Sequence, residues 1–129
     1  MKTVLLSLIC SLVLVLVASE DKYTTKYDNI DVDGILTNHR LFDNYVKCLL
    51  GRGKCSEDGA TLKKYIPDAL LTECAKCSAL QKKHGEKVLR FMYKNRRDAW
   101  DSLLKVYDPE SKYQSSYRKY IDELEAPKD

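Results

Sequence analysis

Asn38-His39-Arg40-Leu41-Phe42-Asp43-Asn44-Tyr45-Val46-Lys47-Cys48-Leu49-Leu50-Gly51-Arg52-Gly53-Lys54-Cys55 is the stretch on which the fold turns. Leu41, Phe42, Tyr45, Val46, Leu49 and Leu50 fall at i, i+1, i+4, i+5, i+8 and i+9, which is one broad apolar face of a helix. Asn38 can cap its start, and Gly51 can end it. Gly51-Arg52-Gly53 then forms a turn between two cysteines. The stretch predicts an amphipathic helix that stops at a turn bracketed by Cys48 and Cys55.

The same periodicity continues outward. Ser56, with Glu57 and Asp58 in the first turn, opens a helix carrying Leu62, Tyr65, Ile66, Ala69 and Leu70. Pro67 should kink or restart it. After Cys77 a helix with Leu80, Val88, Leu89, Met92 and Tyr93 runs toward Asn95, weakened at Gly85. Asp98 can cap a short helix with Trp100, Leu103, Leu104 and Tyr107 on one face, ended by Asp108-Pro109. A last helix shows Tyr113, Tyr117, Tyr120, Ile121 and Leu124 together. With a short helix after Asp31, the chain predicts an all-α bundle of about six amphipathic helices.

The first nineteen residues read as a signal peptide. Lys2 is the positive start, Val4 to Val17 the apolar run, and Val17-Ala18-Ser19 the cleavage site. That run is shorter than the ~20 residues a membrane-spanning helix needs. The expected organisation is residues 1–19 as signal and 20–129 as one exported helical domain, extracellular and monomeric, without stable membrane association. Losing Lys2 leaves 21 basic against 19 acidic residues, well mixed along the chain. No basic footprint for nucleic acid results.

Cleavage also removes Cys10, leaving Cys48, Cys55, Cys74 and Cys77. An even count in a short exported chain reads as structural disulfides. Three pairings are open; the local one is sterically reasonable if each pair brackets a turn. Such short loops would contribute roughly 2–2.5 kcal/mol each, against about 3.5–4 for loops of twenty to thirty residues. Cys74-Ala75-Lys76-Cys77 also has the form of a redox centre, but no α/β pattern surrounds it. Zinc would need a narrower gap than the six residues between Cys48 and Cys55.

Catalytic chemistry finds little support. His39 and His84 are the only histidines, and neither belongs to a nucleophile or metal motif. Asn29-x-Asp31-x-Asp33-Gly34 matches half of a calcium loop, but Arg40 stands where the closing glutamate belongs. No metal, cofactor or enzymatic activity is expected. Nine tyrosines and one tryptophan on the helical faces suit either a filled core or an apolar site with hydroxyls to orient a head group. Periodicity alone does not separate the two.

Tyr23-Thr24-Thr25-Lys26-Tyr27-Asp28-Asn29-Ile30-Asp31 resembles the opening signature of the insect chemosensory proteins, the olfactory-segment D family. Asn44 to Leu50, Leu62-Lys63-Lys64 through Leu70, and Thr72-Glu73-Cys74-Ala75-Lys76-Cys77 continue the likeness in register, as do Lys94-Asn95-Arg96, Trp100 and Lys105 to Pro109. The resemblance spans essentially the whole exported chain. It implies six helices around a hydrophobic channel, with disulfides Cys48–Cys55 and Cys74–Cys77. It implies reversible carriage of small apolar molecules such as fatty acids, long-chain alcohols, esters, odorants and pheromones.

The channel residues expected on this footing are Tyr27, Leu36, Phe42, Tyr45, Val46, Leu49 and Leu62. Ile66, Leu70, Val88, Met92, Trp100, Leu104 and Tyr113 complete the set. Tyr27 and Tyr45 match tyrosines near the family's channel, whereas Tyr113 stands where some members carry a second tryptophan. Asn95-Arg96-Arg97 departs from the Asn-Arg-Pro of many members, a change expected only at a helix cap. The competing expectation is a secreted factor of development, regeneration or immune response, acting through a receptor or other protein partner.

Overall fold

The fold is seen in a computed structural model that describes residues 22–127. The expected signal segment therefore lies outside the described residues. Among the described residues six α-helices run in chain order: α1 Val32–Thr37, α2 His39–Leu49, α3 Glu57–Thr72, α4 Ala79–Asn95, α5 Arg97–Tyr107 and α6 Arg118–Glu125. A 3-10 turn, Gln114–Ser116, precedes α6. No strand occurs among the described residues.

Local signals set most helix starts. Asp31 accepts from the Gly34 amide at 3.0 Å and caps α1, which is what half a calcium loop becomes here. Asn38 takes the Leu41 amide at the start of α2, as expected. Gly51, at φ +74°, turns the chain out of α2, a conformation glycine adopts without strain. Ser56 caps α3, and Ser78 with Gln81 forms a full capping box on α4.

Three expectations need correcting. Pro67 does not restart the helix: α3 runs unbroken from Glu57 to Thr72, with Pro67 on its exposed side. Contacts on its C-terminal side hold the helix past the missing donor, for Asp68 accepts from the Tyr23 hydroxyl and the Leu70 carbonyl from Ser116 Oγ. Asp98 does not cap α5; Arg96 occupies that position without a side-chain cap bond, and Asp98 sits in the first turn facing the Arg96 guanidinium at 3.1 Å. Tyr113 and Tyr117 lie outside the last helix, which begins at Arg118. The reason is Asp108, which binds the Lys112 and Tyr113 amides and diverts the chain into the 3-10 turn.

Both cysteine pairs close locally, Cys48–Cys55 and Cys74–Cys77. The first staples the end of α2 to the start of α3, and α3 packs so close there that Gly59 is buried. A Cβ on Gly59 would meet Cys48 Sγ at 3.2 Å. The core joins Leu36, Phe42, Met92, Ala99, Trp100, Tyr117 and Ile121. Trp100 stands edge-on to Tyr93 and Tyr117, with centroids 5.8 and 5.4 Å apart. Arg96 bonds Asp43 at 2.7 Å and lies 4.9 Å over Phe42, joining α5 to α2. The Tyr107 hydroxyl donates to the Leu49 carbonyl at 2.6 Å between the same two helices.

Candidate ligand site

Gly59, Leu62, Ile66 and Leu70 recur at intervals of three and four along α3, so they share one face. That face points inward: Gly59 meets α2, and Leu70 packs against the core. Leu62 lies midway along it and yet is 46% exposed. Ile66, one turn on, is only half-buried. A filled interior would have covered both. The arrangement of helices explains why it does not: α3 packs chiefly along α2 and the 3-10 turn, whereas α4 packs on α1, α5 and α6. Leu62 and Ile66 are thus left only partly covered on the inner side of α3.

The expected channel residues divide by this geometry. Leu36, Phe42, Met92 and Trp100 are buried together in the core, and Val46, Leu70, Val88 and Leu104 are partly buried against it. Leu49 is buried at the end of α2, outside that cluster. Tyr27 and Tyr113 are half-buried on segments outside the α-helices. Leu62 and Ile66 line the open side of α3.

Tyr45 sits at another place. It lines a hollow of about 410 Å³ on the outer side of α2, together with Leu41, Asn44, Lys47, Lys54 and the first staple. Its hydroxyl donates to the Asp58 carboxylate, which also accepts from Ser56 Oγ at 2.5 Å. Burial, then the hydrogen bond to Asp58 and its charge, pushes the Tyr45 hydroxyl up to about 12. Burial alone would raise Asp58, but its bonds from Ser56, Tyr45 and the Gly59 amide hold it below the ordinary carboxylate value. At neutral pH the pair is a neutral phenol clamped on a carboxylate, a fixed polar edge rather than a proton donor. A second hollow, about 320 Å³, lies between Tyr23, Tyr65 and the lysines Lys22, Lys64 and Lys76.

Sequence reasoning passed over Asp108. It is 4% exposed and accepts from the Tyr117 hydroxyl at 2.6 Å besides the two backbone amides. Only its position before Pro109 was legible, as a helix end. His39 is exposed and His84 half-buried. No cluster of three metal-ligating side chains occurs among the described residues. None of the described helices is long and apolar enough to cross a membrane.

Among the described residues, six helices, two local staples and an inward helix face left partly uncovered at Leu62 define the class of fold. The chain belongs to the insect pheromone-binding family, A10/OS-D, whose pattern matches residues 23–115. It is 56% identical over 105 residues to ejaculatory bulb-specific protein 3 of Drosophila melanogaster, spanning 81% of this chain and 83% of that one. Allergen Tha p 1 of Thaumetopoea pityocampa is 41% identical over 129 residues, 100% of this chain and 99% of its own. Among solved structures, a chemosensory protein in complex with bromo-dodecanol is similar with a TM-score of 0.74 and 42% identity, covering 79% of this chain and 99% of that one.

Proposed function

We propose that this protein is an exported, reversible carrier of small apolar molecules, long-chain alcohols and acids foremost, held against the inner side of α3. The observation that carries this is Leu62: an inward-facing leucine that the fold leaves nearly half open. The bromo-dodecanol complex of the similar chemosensory protein supports the ligand class. Ten buried methylenes contribute about 8 kcal/mol, which is the free energy of micromolar binding. Ordering costs then demand a somewhat longer chain. Apolar contact is non-directional, so selectivity should follow length and shape more than head group.

The test is displacement of a fluorescent apolar probe from the oxidised protein by saturated alcohols and acids of rising length. Affinity should climb about fourfold per methylene, then level once the site is filled. One chain length bound a hundredfold better than its neighbours would sink the broad-selectivity reading. Leu62→Glu should weaken every member at least tenfold while moving the thermal midpoint by only a few degrees, since the side chain is half exposed already. If Leu62→Glu binds like the parent, the ligand lies elsewhere. Failure of a well-folded protein to bind any probe would overturn the carrier and favour a protein partner.

A further inference from the structure

Residues 22–30 form no helix, yet they are tied to three elements at once. The Tyr23 amide donates to the Lys76 carbonyl at 3.1 Å, and Lys22 Nζ donates to the Ala75 carbonyl at 3.2 Å, both inside the Cys74–Cys77 staple. The Tyr23 ring stacks on Tyr65 of α3 with centroids 4.1 Å apart, and its hydroxyl donates to Asp68. On the far side, Gln81 Nε2 of α4 donates to the Thr24 carbonyl and to Asp28, each at 2.9 Å. Ser78 Oγ adds a 3.2 Å bond to Asp28. The segment therefore bridges α3 and α4, two helices that do not pack on one another as main partners.

We propose that residues 22–30 are a strap that closes the α3–α4 side of the bundle, and that its release admits and discharges ligand. The Cys74–Cys77 staple is its anchor. Glu73 and Cys74 both hold left-handed φ values, +53° and +64°, unusual for residues with a Cβ. The staple fixes that turn and so keeps the Ala75 and Lys76 carbonyls within reach of the strap. Most of the anchoring bonds are exposed or half-exposed, so the strap can open locally far more often than the whole fold. A gate of this kind acts on rates more than on affinity when the same strap contacts re-form over bound and free protein alike.

The proposal rests on the carrier reading, and the experiment separates the two. Stopped-flow mixing of a fluorescent apolar probe with the parent, Tyr23→Ala and Gln81→Ala proteins is paired with hydrogen exchange on the same samples. Tyr23→Ala should raise association and dissociation rates together, at least fivefold, with Kd changed less than twofold. Exchange of amides 62–70 and 79–88 should quicken about tenfold with or without probe. Gln81→Ala releases the other end and should act in the same direction, which guards against a folding defect peculiar to Tyr23→Ala. The double replacement Cys74→Ser with Cys77→Ser should reproduce the effect if the staple is the anchor. Unchanged probe rates beside quickened exchange at residues 23–28 would overturn the gate, as would a weaker Kd arising from dissociation alone. If the parent binds no probe, the carrier fails. The strap is then judged by exchange alone, and unaltered protection of α3 and α4 overturns it.

Discussion

Trp100→Ala should destabilise the fold by about 3–5 kcal/mol, the largest effect expected of any single truncation here. The indole is 5% exposed and sits at the centre of the core. Its removal loses the transfer energy of a large ring and leaves a void that the neighbouring helices fill only in part. It also breaks two edge-on aromatic pairs, with Tyr93 and Tyr117, each worth about 0.5–1.5 kcal/mol beyond the buried area. A domain of this size has about 5–15 kcal/mol in total, so the variant would be close to unfolding at ambient temperature. Urea titration followed by circular dichroism measures it, with Trp100→Phe as the milder comparison. A loss below about 1 kcal/mol would mean that Trp100 faces an unfilled space rather than the packed core.

Asp108→Ala should cost about 3 kcal/mol, a large effect for one carboxylate. It strands the buried Tyr117 hydroxyl and deprives the Lys112 and Tyr113 amides of their acceptor. The pH dependence has a definite sign. Burial alone would raise the Asp108 pKa, but the Tyr117, Tyr113 and Lys112 donors and the Lys112 charge outweigh it and hold the carboxyl below its usual value. A depressed folded pKa gives stability that is complete above the unfolded value of about 4 and is lost as pH falls below it. The gap between the parent and Asp108→Ala should therefore be constant from about pH 5 to 8 and narrow toward pH 2–3. A gap independent of acid would show that the aspartate acts by shape and not by charge. At the alkaline end, Tyr117 is pushed up to about 12 by burial and then by Asp108. Its contribution should persist past pH 10 and fade as pH rises toward 12.

The helices were legible because their signals are local: Asn38 and Ser56 cap where the chain says they should, and Gly51 ends α2. Where the reading failed, a distant partner decided. Pro67 sits in a continuous helix because tertiary contacts at Asp68 and Leu70 hold it there. Tyr113 left the last helix because Asp108 claims its amide. The candidate site was legible as a list of apolar residues and no further. Trp100 and Leu62 look alike by periodicity, one in the packed core and the other on an open wall. The difference lies in how far α3 stands from α4 and α5, which no spacing within a helix encodes. Segment 22–30 was legible only through its family resemblance and not as a bridge, since its partners lie 31 to 57 positions along the chain.

The two staples close over separations of only seven and three residues. Cys48 meets Cys55 roughly sevenfold more often than it meets Cys74 in an unstructured chain, by the scaling of loop closure with length. Correct pairing is therefore favoured by proximity before any helix has docked. Mispaired isomers have little chance to accumulate, and oxidative folding needs an oxidant more than an isomerase. The same locality leaves the core, not the cross-links, to hold the domain together.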